Sequence, residues 1–179
     1  YAFAFDESYL SDEGRQGLLD KTWTNLYWNN EHCAWKQPLL KDGHFGKKAG
    51  YRVKDSEGHQ IEKGKQNSVT GVSFHDNPDK SRGKDGSLLF FEEAGKFRDL
   101  IRSWEVARST TAQGGYVVGT MIAFGTGGSG GEDMVGLEEL FRRPESYGVL
   151  PIYNKWESGL ENTYCGFFVP VYMNMDMFM

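Results

Sequence analysis

Neither of the two cysteines, Cys33 and Cys165, has a partner at C-x-x-C spacing, and each sits among aromatic residues. Redox-pair and zinc-knuckle chemistry are therefore not expected, and two thiols packed as small hydrophobes suit a reducing, intracellular setting. The four histidines, His32, His44, His59 and His75, are scattered without H-x-x-x-H or Cys/His spacing, so no transition-metal site is expected. No run approaches the roughly 18 apolar residues of a membrane span, and no basic-then-apolar signal opens the chain; a soluble protein is expected. A phosphate-cradling loop is also missing. "GKKAG", "GKQNS", "GKDGS" and "GKFRD" all lack the hydroxyl residue that G-x-x-x-x-G-K-[ST] places after its lysine.

Positive charge is the minority, with 20 Lys and Arg against 25 Asp and Glu, so nothing global calls for nucleic acid or an anionic membrane. The local balance differs. Between Lys36 and Lys84 there are eleven basic and six acidic residues, which marks that segment as either an anion-contacting surface or a solvated hairpin face. With 179 residues, 39 % of them hydrophobic and 15 % aromatic, the chain can bury one core, and one domain or most of one is expected.

Periodicity supplies the order of elements. "YAFAF" (1–5) reads as a short strand, and 11–30 as a helix with Ser11 as N-cap and Leu18, Leu19, Trp23 and Leu26 on one face. "GYRVKDSEGHQIEKG" predicts a hairpin around "DSEG", and "SVTGVSF" (68–74) a further strand. A loop rich in Asn, Asp, Pro and Gly (75–86) precedes "SLLFF", which reads as a strand buried on both faces. "EEAGKFRDLIRSWEVARST" has helical spacing at Phe97, Leu100, Ile101 and Trp104. "GGYVVGTMIAFGTGG" is expected to carry the next buried strand, "LEELFRRP" a short helix closed by Pro144, and "CGFFVPVYM" a last strand-like run. Strand, helix, strand with apolar strands is the grammar of an α/β sheet, mainly parallel, with an antiparallel hairpin added.

The chemistry concentrates in "SLLFFEEAGKF". In α/β sheets ligands bind beyond the carboxyl ends of the strands, where Glu92 and Glu93 fall. One carboxylate there can hold a hydrated Mg²⁺ on nucleotide phosphates while its neighbour orients and deprotonates a water. The competing explanation is structural: acids at a helix N-terminus gain about 0.3–1 kcal/mol from the macrodipole and need no further role. "MIAFGTGG" ends at the same edge, with Thr126 among glycines that let the backbone come close to a phosphate, or that simply make a loop. Arg82, just ahead of the acidic strand, is either a surface charge or a group that reaches a phosphate.

Taken together, "DNPDKSRGKDGSLLFFEEAGKF" and "IAFGTGGSGGEDMVGLEELFRRPESYGVLPIYNKWE" resemble the ATPase part of the large terminase subunit of tailed bacteriophages, over about residues 60–170. The resemblance implies a partial P-loop NTPase core of the ASCE type, in which 36–84 is a basic hairpin insertion, 85–150 the Walker B and coupling core, and 151–179 a region leading towards a nuclease domain. It implies Glu92 as the Mg²⁺ acid, Glu93 as the catalytic glutamate, Thr126 as the coupling residue flanked by Gly125 and Gly127, and Arg82 as an arginine acting in trans. It further implies ATP and Mg²⁺ as cofactors, double-stranded DNA, a portal protein and a small terminase subunit as partners, and a homo-oligomeric ring docked on the procapsid in the host cytoplasm. Two departures stand out: the first Walker B acid is Glu92 rather than aspartate, and the phosphate loop is absent, as expected of a piece that begins after that loop and stops before the nuclease. Another P-loop DNA motor, or a non-enzymatic protein-binding domain using Trp23, Tyr27, Trp28 and Trp35, are the competing expectations.

Overall fold

The computed structural model describes residues 2–4, 38–43, 45–74, 77–125 and 134–170. The helix expected over 11–30, with its aromatic residues, lies outside the described residues. Twelve strands and two α-helices are seen among them. The chain runs β1 (Ala2–Ala4), β2 (Leu39–Gly43), β3 (Gly46–Ala49), β4 (Tyr51–Lys54), β5 (Gln60–Lys63), β6 (Ser68–Ser73) and β7 (Leu88–Glu92) before reaching α1 (Leu100–Thr110). It continues with β8 (Ala112–Gln113), β9 (Tyr116–Val117), β10 (Thr120–Ala123), α2 (Val135–Arg142), β11 (Ile152–Tyr153) and β12 (Tyr164–Cys165).

Six strands form the main sheet in the order β10-β7-β1-β6-β3-β2. β10, β7, β1 and β6 are mutually parallel, whereas β3 runs antiparallel to both β6 and β2. The molecule is therefore mixed α/β, as the alternation of apolar strands with helical periodicity predicts. β6 and β3 are integral strands of this sheet. The predicted hairpin is present as the two-stranded ribbon β4–β5, with Val53 opposite Ile61 and a turn at residues 55–59, and it stands largely exposed on both faces.

Side chains alternate across a sheet, and residues in register on parallel strands share a face. Leu89 pairs with Met121, and Phe91 with Ala123, so these four point the same way. That face meets α1. Leu89 and Phe91 are fully buried in a cluster with Phe74, Phe97, Leu100, Trp104, Ala107 and Leu140, against which Val72, Met121 and Ala123 also pack. The rings interlock: Phe91 lies 6.2 Å from Phe74, 5.8 Å from Phe97 and 5.6 Å from Trp104, within the range of favourable tilted aromatic pairs. The Trp104 indole N–H, which burial would otherwise leave unsatisfied, donates to the Tyr147 carbonyl at 3.1 Å.

Several expectations are corrected. β7 is buried on one face only, because Leu88 on the other is 39 % exposed. The helix expected from Glu92 starts at Leu100; a 3-10 turn at Ala94–Lys96 intervenes. Left-handed geometry at Glu93 and the return of the chain at Phe97 break the helical path that the apolar spacing suggested. Tyr116 and Val117 are not part of a buried strand: they pair with Ala112 and Gln113 in a small ribbon and are 78 % and 75 % exposed. Gly114 and Gly115, both with positive φ, make the tight turn that diverts them. Among the described residues of "CGFFVPVYM" only Cys165 is in a strand, paired with Ile152, and residues 166–170 are irregular. No helix among the described residues is long and apolar enough to cross a membrane.

Helix α2 packs on α1 at a glycine, where a Cβ on Gly136 would fall 2.8 Å from the Cβ of Leu100. Beyond it, the Arg142 guanidinium forks onto both carboxylate oxygens of Glu157 at 3.2 Å and onto Glu138 at 2.7 Å, and Gly166 donates to the Phe141 carbonyl at 2.7 Å. Cys165 is free and buried, and burial together with Glu157 pushes its thiol up, away from the reactive thiolate.

Candidate functional site

Glu92 is the last residue of β7, on the face opposite Phe91, and it sits at the carboxyl edge of the parallel strands. Its side chain shares that face with Phe90, whose ring meets Phe124 edge to face at 6.2 Å. The Oε2 atom is buried and accepts no hydrogen bond. An ionised carboxylate in such a position loses its hydration without replacement. Burial therefore raises the pKa of Glu92 above the ordinary carboxylate value, and the charge of Glu93 raises it further.

Glu93 follows in the left-handed region, φ 47° and ψ 51°. For a residue with a Cβ this costs about 1–2 kcal/mol, and surrounding contacts must hold it there. They come from the exit of β10. The Phe124 N–H donates to the Phe91 carbonyl at 3.2 Å, and the Ala94 N–H donates to the Phe124 carbonyl at 2.9 Å, so the strand exit is laced to both sides of the acidic pair. At Gly125 a Cβ would stand 3.2 Å from the Ala94 nitrogen and 3.5 Å from the Glu93 carbonyl carbon. The absence of a side chain is what lets the two backbones pass. The first glycine of "GTGG" is thus brought against the second acid of "FFEE", while Thr126 and Gly127 lie outside the described residues.

Neither carboxylate stands in the first turn of α1, which begins at Leu100 and is entered from Asp99; Glu93 is the N-cap residue of the short 3-10 turn Ala94–Lys96, where its side chain makes no capping hydrogen bond. Arg82 is not brought to the pair. It is 72 % exposed and bound through Nε to Asp79 Oδ1 at 3.1 Å, while Arg102 of α1 takes the other oxygen of Asp79 at 3.1 Å. Asp79 itself is positioned by Asn77, whose side chain accepts its N–H at 3.0 Å.

Among the described residues no three His, Cys, Asp or Glu side chains come together as a complete cation cage. Two adjacent carboxylates with one orphaned buried oxygen fit a different donor set: a Mg²⁺ ion that keeps waters and takes the rest of its oxygens from substrate phosphates. Sequence reasoning singled out through their motifs both acids and Gly125, which the structure brings against Glu93. It missed the backbone lacing by Phe124 and Ala94, because a main-chain hydrogen bond leaves no mark on residue type. No protein-family model, no curated protein and no solved structure matches the chain.

Proposed function

We propose that this chain is the catalytic-edge part of a phage DNA-packaging ATPase of the large terminase type, in which hydrolysis of ATP is coupled to movement of double-stranded DNA. The observation that carries the reading is the buried, hydrogen-bond-free Oε2 of Glu92 at the end of a central parallel strand, beside Glu93. A buried carboxylate oxygen is normally satisfied; one without a hydrogen-bond partner suits an electrostatic task.

In this reading Glu92 and nucleotide phosphate oxygens hold Mg²⁺, which when bound neutralises charge on the β- and γ-phosphates. Glu93 accepts a proton from the attacking water and orients it. Its left-handed backbone breaks the strand path directly after Glu92. Thr126, following Gly125, relays the state of the site to the rest of the motor, and Arg82 serves a neighbouring subunit. ATP binding belongs to the complete protein, because the phosphate-cradling loop is not in these 179 residues. The family's DNA, portal and small-subunit partners, and its ring, belong to the same proposal.

The test is Glu93→Gln in the complete protein. Turnover is expected to fall by at least about two orders of magnitude, the range of general-base catalysis, with nucleotide affinity retained. Unchanged ATP hydrolysis in that variant would overturn the assignment.

A further inference from the structure

The cations of the central segment are not equivalent. Lys47 pairs with Asp42, Lys48 and Arg52 both pair with Glu62, and Arg82 and Arg102 share Asp79. Among the described residues Lys41 and Lys84 make no side-chain ion pair or hydrogen bond, and Lys80 donates only to a neutral group, the Ser73 carbonyl at 2.8 Å. The β4–β5 ribbon, by contrast, carries four basic and three acidic residues between Tyr51 and Lys65, so it holds almost none of the segment's surplus charge. The surplus sits elsewhere.

It converges on a recess. Lys80 and Lys84 line an open-sided cavity of about 320 Å³ together with Phe45 and with Thr70 and Val72 of β6. Lys41 comes close to Thr70, one of the lining residues. Its Nζ lies 4.0 Å, and Thr70 Oγ1 3.7 Å, from the point where a Cβ on Gly46 would stand. Because Gly46 has none, the ammonium and the hydroxyl face one small open volume. Phe45 is 41 % exposed and forms the apolar wall.

Lys80 and Lys84 on the cavity and Lys41 beside it, none bound to a carboxylate among the described residues, form with the Thr70 hydroxyl and the Phe45 side chain a recognisable donor set. Unpaired lysines gathered together repel, and an anion between them removes the repulsion. An aromatic wall beside a basic groove is the arrangement on which nucleobases stack. We propose that this recess binds one nucleotide unit, its phosphate against Lys41, Lys80 and Lys84 and its base over the ring of Phe45. The chemistry is shared by a free nucleotide and by a unit within a nucleic-acid strand, and the open side leaves room for a strand to continue. The site is independent of the acidic pair. Thr70 and Val72 point to the α1 face, Glu92 to the other, and Ser73 and Glu92, both paired with Ala4, stand two strand spacings apart, about 10 Å.

The experiment is a fluorescence titration of the purified protein with labelled oligo(dT) and, separately, with a labelled adenosine monophosphate, from low to physiological salt. Saturable binding of the oligonucleotide is expected, with log K falling against log salt at a slope of about −2 for three lysine–phosphate contacts. Lys84→Gln is expected to weaken it about tenfold, the loss of one charge-assisted hydrogen bond, and to lower the slope, while Lys84→Arg restores both. Phe45→Ala is expected to weaken binding without changing the slope. Binding of the mononucleotide alone with the same Lys84 dependence assigns the site to a free nucleotide; binding of the oligonucleotide alone assigns it to a strand. No saturable binding of either probe, or affinities unchanged in both Lys84→Gln and the Lys41→Gln/Lys80→Gln pair, overturns the proposal. Because Glu93→Gln reads hydrolysis and these variants read binding on the other face, either reading can fail without the other.

Discussion

The backbone N–H of Ala94 donates to the carbonyl of Phe124 at 2.9 Å, which ties the turn after Glu93 to the end of the neighbouring strand. Two motifs separated by some thirty residues are thereby held as one edge, and the geometry of the acids depends on how closely the strands pass.

Gly125 measures that dependence. A methyl group at this position would press on backbone atoms, Ala94 N at 3.2 Å and Glu93 C at 3.5 Å, which cannot swing aside as a side-chain tip can. Gly125→Ala is expected to lose about 1 kcal/mol of stability, the low end of overpacking costs. A chemical denaturation curve checks this; an unchanged midpoint would show that the strands have slack.

Glu93 is held in a conformation that favours glycine. Replacing it by Gly relieves about 1–2 kcal/mol of left-handed strain against about 0.5–1 kcal/mol of added chain entropy. Glu93→Gly should therefore be more stable than the parent by a few tenths to about 1 kcal/mol, and Glu93→Ala should not gain. Thermal melts of the two variants compare them directly. Equal melting points would mean that strain is not what the turn stores.

Glu92 gives a pH dependence with a definite sign. Its folded pKa is raised, first by burial and then by Glu93, so the folded protein binds a proton that the unfolded chain has released. The contribution is fully present below the unfolded carboxylate value and is lost as pH rises through the folded one. Glu92→Gln removes the charge, and should be more stable at pH 7 by about 1 kcal/mol, the lower bound for a buried charged group without partners. The advantage should vanish at pH 4. A difference that persists at pH 4 would contradict this origin.

The aromatic cluster under the sheet carries the core. Phe91 is fully buried and touches three other rings, so Phe91→Ala is expected to cost about 3–5 kcal/mol. A smaller but specific loss, about 1 kcal/mol, is expected for Trp104→Phe, which leaves the Tyr147 carbonyl without its donor. Urea titrations of both variants test the ranking; a larger loss for Trp104→Phe would reverse it.

Much of this was written in local residue patterns. The strand 88–92 announces itself by four apolar residues ended by two acids, and the β4–β5 hairpin by alternation around a turn of Asp, Ser, Glu and Gly. What the chain hides is non-local. Helical spacing at Phe97, Leu100, Ile101 and Trp104 does not distinguish a helix from a 3-10 turn followed by a helix, because both put Phe97 against the same core. The apolar run at Tyr116 and Val117 looks like a buried strand, yet a glycine pair turns it outwards. The lysine recess is the clearest case. Lys41 comes from a segment distant from Lys80 and Lys84, and residue type cannot tell a lysine with a carboxylate partner from one without.

The short strand β1 lies between β6 and β7, with Ala2 paired to Gly71 on one side and to Phe90 on the other. Its three residues must wait for partners made much later in synthesis, and closing such long loops before any contact repays them is slow. The sheet's middle therefore cannot be completed until β7 has emerged, and until β1 docks, β6 and β7 present open edges to other chains. Synthesis rate and temperature, rather than the strength of the finished core, would then govern how much protein reaches the native state.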